Sequence, residues 1–158
     1  MQTVQAGQAA PTFSLLDQDG QSVSLSDFRD QSYVLLYFYP RAMTPGCTIQ
    51  ACALRDHQAD YLEHKIKILG ISPDPVSRLK KFQDKENLNF TLLADPDHAV
   101  AEKYGVWGPK KFMGRVSDGI HRISFLIDSQ GQIQHVFAKV ATKTHHQDVL
   151  ERFAALNT

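Results

Sequence analysis

Residues 38–52 read FYPRAMTPGCTIQAC and hold the only two cysteines of the chain, Cys47 and Cys52. The run Tyr33-Val34-Leu35-Leu36-Tyr37-Phe38-Tyr39 leads into them and is almost wholly apolar. Such a run reads as a central strand covered on both faces. Pro40 ends it, because proline has no N–H to give to a sheet ladder. Thr44 then suits a helix N-cap and Pro45 the first helical position. Cys47 therefore falls in the first turn of a helix. Unpaired amides and the helix dipole favour an anion there. A thiol so placed can ionise below its free value of about 8.5, and the thiolate is the nucleophilic form. Cys52 lies beyond that turn and feels less of the field.

The five-residue spacing carries a second expectation. On a helix it separates the two Cα atoms by about 7.5 Å along the axis and about 140° around it, or about 8–9 Å overall. A disulfide needs less than about 7 Å. If both cysteines are helical when reduced, they bond only after the turn between them unwinds. The spacing suits neither a static staple, nor a Cys-x-x-Cys oxidoreductase pair, nor a zinc knuckle.

A chain of 158 residues suits one domain, 1–158, with a single core. Seventeen basic residues balance seventeen acidic ones, so no global charge draws the chain to nucleic acid or an anionic membrane. Lys80-Lys81 and Lys110-Lys111 read as solvated surface. No stretch reaches the ~20 apolar residues of a membrane span. The start, MQTVQAGQAAPTF, lacks the basic and apolar regions of a signal peptide. The expected compartment is the cytoplasm, where paired cysteines more often do chemistry than stapling.

Taken in order, Phe13 to Leu25 around Asp17-Gln18-Asp19-Gly20 reads as an N-terminal β-hairpin. Ser26-Asp27-Phe28 starts a short helical turn. Cys47 to about His64 reads as one helix, Lys67–Ser72 as a second buried strand, and Val76–Glu86 as a helix with Leu79 and Phe82 inward. Phe90–Leu93 is extended, and Asp97–Tyr104 is a short helix closed by Gly105. Residues 106–119 read as a loop in which Trp107, Phe112 and Met113 tuck back into the core, although a covering or partner-binding role is the alternative. Residues 120–137 form a hairpin about Asp128-Ser129-Gln130-Gly131. A last helix opens at Thr144 or His145-His146 and turns Val149, Leu150 and Phe153 inward. The order is that of an α/β sandwich.

Pro40, Thr44 and Cys47 match the Pro-x-x-x-Thr-x-x-Cys signature of the peroxiredoxins. PRAMTPGCTIQAC, NFTLLADPDH, YGVWGPKKFMG and DGIHRISFLID resemble the bacterioferritin-comigratory, Q-type subfamily, and the likeness spans essentially the whole chain. The resemblance implies a thioredoxin fold, a three-layer α/β/α sandwich, here with the N-terminal hairpin as an extension. It implies a peroxidatic Cys47 that reduces hydrogen peroxide or organic hydroperoxides and becomes a sulfenic acid. Cys52 would resolve this to a disulfide, and thioredoxin or a glutaredoxin-like protein would restore the thiols. Thr44 and the Gly46 and Cys47 amides would bind substrate, and Pro40 would shield the thiolate. Arg122, in HRISF, would supply the cation. No cofactor or metal is implied, and the subfamily leans to a monomer.

Other readings of the same residues are blander. Cys47 as an inert core thiol, Cys52 as a small apolar core residue, Thr44 as an N-cap alone and Arg122 in a surface salt bridge are the structural alternatives. His145-His146 read as structural or solvated. A cysteine hydrolase with His57 or His121 as base lacks an orienting Asn or Asp. A thiol switch that changes a binding surface is the non-enzymatic rival, and turnover separates the two.

Overall fold

The computed structural model describes residues 1–157. Its centre is the apolar run read above, strand β3 (Tyr33–Phe38), whose side chains alternate between two cores. Val34, Leu36 and Phe38 point into one, Leu35 and Tyr37 into the other. This is the period-two alternation of a strand. With β1 (Ser14–Asp17), β2 (Ser22–Ser24), β4 (Ile66–Ser72), β5 (Thr91–Ala94), β8 (Ser124–Ile127) and β9 (Ile133–Phe137) it forms one sheet in the order β2-β1-β5-β4-β3-β8-β9. β3 runs parallel to β4 and antiparallel to β8.

Helices cover both faces. Ala51 and Leu54 of α1 (Pro45–Asp56), Tyr61 of α2 (Gln58–Glu63), Leu79 and Phe82 of α3 (Val76–Glu86) and Val149 of α5 (His145–Leu156) fill the core that holds Leu35 and Tyr37. Val100, Ala101 and Tyr104 of α4 (Ala99–Tyr104) fill the opposite one, with Phe13 and Leu25. The result is the three-layer sandwich of the thioredoxin fold, and the N-terminal hairpin forms its sheet edge against β5. Gly105 closes α4 at φ +69°, and the backbone of Gln2 and Thr3 passes where a side chain would stand. Among the described residues no helix is long and apolar enough to cross a membrane.

Two expectations need correction. The helix expected from Cys47 to His64 breaks at His57. The His57 N–H turns back to Leu54 O, and Nδ1 donates to Ala53 O at 2.8 Å, so the ring takes up a carbonyl that a continuing helix would use. Residues 106–119 are not a loop. β6 (Trp107–Phe112) and β7 (Arg115–Ile120) pair antiparallel as a separate two-stranded hairpin. Met113 (φ +51°) and Gly114 (φ +78°) form its two-residue turn, the left-handed pair that a tight hairpin requires. Trp107 does pack inward and stacks on His98 at 3.7 Å. Phe112 (76% exposed), Met113 (86%) and Val116 (68%) stand in solvent instead.

The hairpin tip is thus outside the core and β3 is its middle. Leu36→Ala should cost about 2–5 kcal/mol in urea unfolding. Phe112→Ser should stay within about 0.5 kcal/mol. Equal losses at the two positions would contradict this division.

Candidate active site

Backbone pairing continues one residue past β3, where the Tyr39 N–H reaches Ile71 O at 3.1 Å, and stops at Pro40. Pro40 sits half-buried at the exit from the strand. The loop that follows is held from both sides at Ala42. The Ala42 N–H donates to Asp74 Oδ2 at 2.7 Å, and Arg78 Nη2 donates to Ala42 O at 2.8 Å. Arg78 and Asp74 pair with each other at 3.1 Å, and the Ser72 hydroxyl donates to the same carboxylate. Met43 takes a left-handed turn at φ +67°. This clamp from β4 and α3 fixes where α1 begins.

Thr44 is the N-cap residue by backbone conformation, φ −86° and ψ 158°, yet its side chain does not cap. The hydroxyl donates to Arg41 O at 2.8 Å. It can accept from a substrate O–H but does not give its proton to the sulfur. The amides at the start of α1 are therefore not consumed by the cap, and they point the positive end of the helix at Cys47. Cys47 lies in that first turn as the sequence predicts, and it is only 1% exposed.

Arg122, two residues ahead of β8, donates from Nη2 to Cys47 Sγ at 3.1 Å. None of the ion pairs among the described residues involves Arg122, so the salt-bridge alternative fails. A Cβ on residue 46 would stand 3.1 Å from Arg122 Nη2, so Gly46 leaves room for the guanidinium. Lys110, half-buried on β6, donates to Ile120 O at 2.7 Å. Burial, and then the nearby Arg122, hold its ammonium below the usual lysine range.

Behind Arg122 runs a buried polar chain that the sequence reading did not anticipate. Arg122 Nη1 donates to Gln50 Oε1 at 2.9 Å. Gln50 Nε2 lies 3.2 Å from His145 Nδ1, and His145 Nε2 lies 2.9 Å from Ser124 Oγ. Gln50, His145 and Ser124 are each at most 2% exposed. The inward histidine at the start of the last helix was legible as structural, but its partners lie far from it in sequence. Two other histidines have partners of their own: the His57 ring lies 4.3 Å from that of His146 at a tilt of 37°, and His121 Nε2 meets Pro109 O.

Cys52 shares α1 with Cys47, and both thiols are free. Its Sγ donates to Glu86 Oε2 at 3.8 Å. Burial pushes this thiol up and Glu86 adds to the effect, against the opposing pull of Arg55. A brace ties this end of α1 to the end of α3: Arg55 Nη1 donates to Glu86 O and Asn89 Nδ2 to Arg55 O.

The chain matches the AhpC/TSA family model over residues 6–136. It is 57% identical to peroxiredoxin Bcp of Escherichia coli over 150 residues, covering 95% of this chain and 96% of that one. A solved peroxiredoxin Q mutant from Xanthomonas campestris superposes with a TM-score of 0.89 at 29% identity, covering 97% and 99% of the two chains. A bacterioferritin comigratory protein of the same organism, described for its alkyl peroxide reduction activity, gives a TM-score of 0.86 at 28% identity over 92% of each chain. The chain belongs to the AhpC/TSA family and is a thiol-dependent peroxidase with a thioredoxin fold. Within that family it is a peroxiredoxin of the bacterioferritin-comigratory, Q-type subfamily.

Two outcomes follow from this geometry. Asp74→Ala frees both sides of the Ala42 clamp, and oxidation of Cys47 by hydroperoxide should slow roughly ten- to a hundredfold with far-UV circular dichroism retained. The second concerns pH. Burial, then His146 and Arg122, hold His145 down at about 3 against an ordinary 6.5. Between those values the unfolded chain binds a proton that the folded chain does not. Stability should therefore fall as pH drops from 6.5 towards 3. His145→Gln should flatten part of that slope in urea melts, and an unchanged slope would refute the assignment.

Proposed function

We propose that Cys47 is the peroxidatic thiolate and Cys52 the resolving thiol of a hydroperoxide reductase recycled by thioredoxin. The observation that carries this reading is the Arg122 guanidinium on Cys47 Sγ at the start of α1. A charged donor and unspent amides favour an anion at that sulfur. The thiolate attacks the terminal oxygen of the hydroperoxide. An S–O bond forms as the O–O bond breaks, the O–O electron pair goes to the departing oxygen, and that oxygen takes a proton from solvent to leave as alcohol or water. Arg122 and the Gly46 and Cys47 amides offset charge on the departing oxygen. Thr44 accepts from the substrate O–H, and Pro40 keeps water from the thiolate.

Cys47 is then a sulfenic acid. Cys52, as thiolate, attacks that sulfur. The hydroxyl leaves as water and a disulfide forms. With both residues on α1 the Cα atoms are about 8–9 Å apart, so this step needs the helix around Cys52 to unwind and the Arg55–Glu86 brace to part. A dithiol protein of the thioredoxin type, or a glutaredoxin-like one, exchanges onto the disulfide and leaves oxidised itself.

Both sulfurs come from one chain and one helix, so no second copy is needed. We read residues 1–158 as one domain acting as a monomer in the cytoplasm, where reducing conditions keep the pair ready. Organic hydroperoxides join hydrogen peroxide as substrates, in keeping with the activity described for the Xanthomonas relative.

Cys47→Ser should abolish thioredoxin-coupled hydroperoxide consumption. Cys52→Ser should leave one stoichiometric turnover, stopping at a sulfenic acid visible by mass spectrometry. Sustained consumption by Cys47→Ser would overturn the assignment.

A further inference from the structure

We infer that His145 is a positioning residue for the peroxide reaction, acting through Gln50 to hold the Arg122 guanidinium on Cys47. The inference rests on the reading of Arg122 as the cation of Cys47. Four elements meet at this chain of side chains: α1 supplies Gln50, the segment before β8 supplies Arg122, the first residue of β8 is Ser124, and the first residue of α5 is His145.

The direction of every bond follows from the arginine. A guanidinium only donates, so the Gln50 oxygen must face it. The Gln50 amide nitrogen then faces His145 and, being a donor, makes Nδ1 an acceptor. The imidazole is therefore neutral and carries its proton on Nε2, which donates to Ser124 Oγ. The opposite arrangement has a definite penalty. With the proton on Nδ1, Gln50 would turn over and set its amide hydrogens against those of Arg122. A charged His145 would put a donor against Gln50 Nε2 and a second cation behind the first. Burial against Tyr37 and Phe137 keeps the ring out of water, where protonation is disfavoured.

A polar ring is an expensive way to fill this space. Phe or Leu would pack the same apolar surroundings without a desolvation cost. The histidine makes sense where Gln50 needs an acceptor at one position. Arginine carries about 2 kcal/mol of rotamer entropy, and among the described residues the guanidinium's hydrogen bonds here go to Gln50 and Cys47.

The test is stopped-flow oxidation of the reduced protein by stoichiometric hydroperoxide, which reads the Cys47 step alone. His145→Phe keeps the bulk and removes the acceptor, and the rate should fall roughly tenfold or more. His145→Asn places Oδ1 near the Nδ1 position and should recover most of that loss. In an Arg122→Ala background His145→Phe should cause no further slowing, because the contact it serves is gone. Additive losses in the double variant, or no advantage of Asn over Phe, would overturn the inference. If Arg122→Ala alone leaves the rate unchanged, the reading of Arg122 fails, and this inference with it. A variant that does not fold leaves a direct check on the unaltered protein by ¹⁵N NMR of the imidazole. A neutral ring protonated at Nε2 from pH 5 to 8 is expected; protonation at Nδ1 or titration within that range would overturn it.

Discussion

A guanidinium and a buried sulfur 3.1 Å apart make the contact on which the rest of this molecule is arranged. Water would screen the pair, and the apolar surroundings of Cys47 remove that screening. The two groups come from elements that only the sheet brings together. α1 starts at the exit of β3, and Arg122 precedes β8, the antiparallel neighbour of β3. A shift of either register by one residue would turn the side chains to the wrong face. The apolar alternation of β3 into two cores is what prevents such a slip.

The second demand on α1 opposes the first. Its start must be rigid, because the amide dipoles and the Ala42 clamp set the geometry at Cys47. Its middle must give way if Cys52 is to reach that sulfur. The structure separates the two demands along the helix. The start is gripped by the buried side chains of Asp74 and Gln50 and by half-buried Arg78. The part around Cys52 is held instead by half-buried Glu86 and Arg55, which tie it to the end of α3 and not to the groups around Cys47. The break at His57 places a helix end a short way beyond Cys52, so unwinding has a nearby boundary.

The β6–β7 hairpin follows a different physical logic. Among the described residues its strands pair only with each other, and its tip carries apolar side chains into solvent, while Lys110 partway along β6 is held below the usual lysine range by burial and by the nearby Arg122. Residues 106–119 misled the sequence reading because only the base of the hairpin is buried, so its exposed length shows no apolar alternation, and Gly, Lys and Pro are loop-like in composition. The Met113-Gly114 turn was the one local signal of a hairpin there.

The local facts were legible in the chain itself: a buried strand ended by Pro40, a helix begun at Pro45 with Cys47 in its first turn, and Cys52 too far along that helix to bond without unwinding. These depend on neighbours in sequence, on the missing N–H of proline and on the pitch of a helix, so they need no knowledge of the fold. Arg122 was reached through resemblance alone, since nothing near it marks it as the partner of residue 47. The Asp74–Arg78 grip on Ala42 and the Gln50–His145–Ser124 chain were decided by tertiary structure. Each joins groups whose hydrogen-bonding needs are met only when β4, α3, β8 and α5 pack around α1, and no spacing along the chain records that meeting.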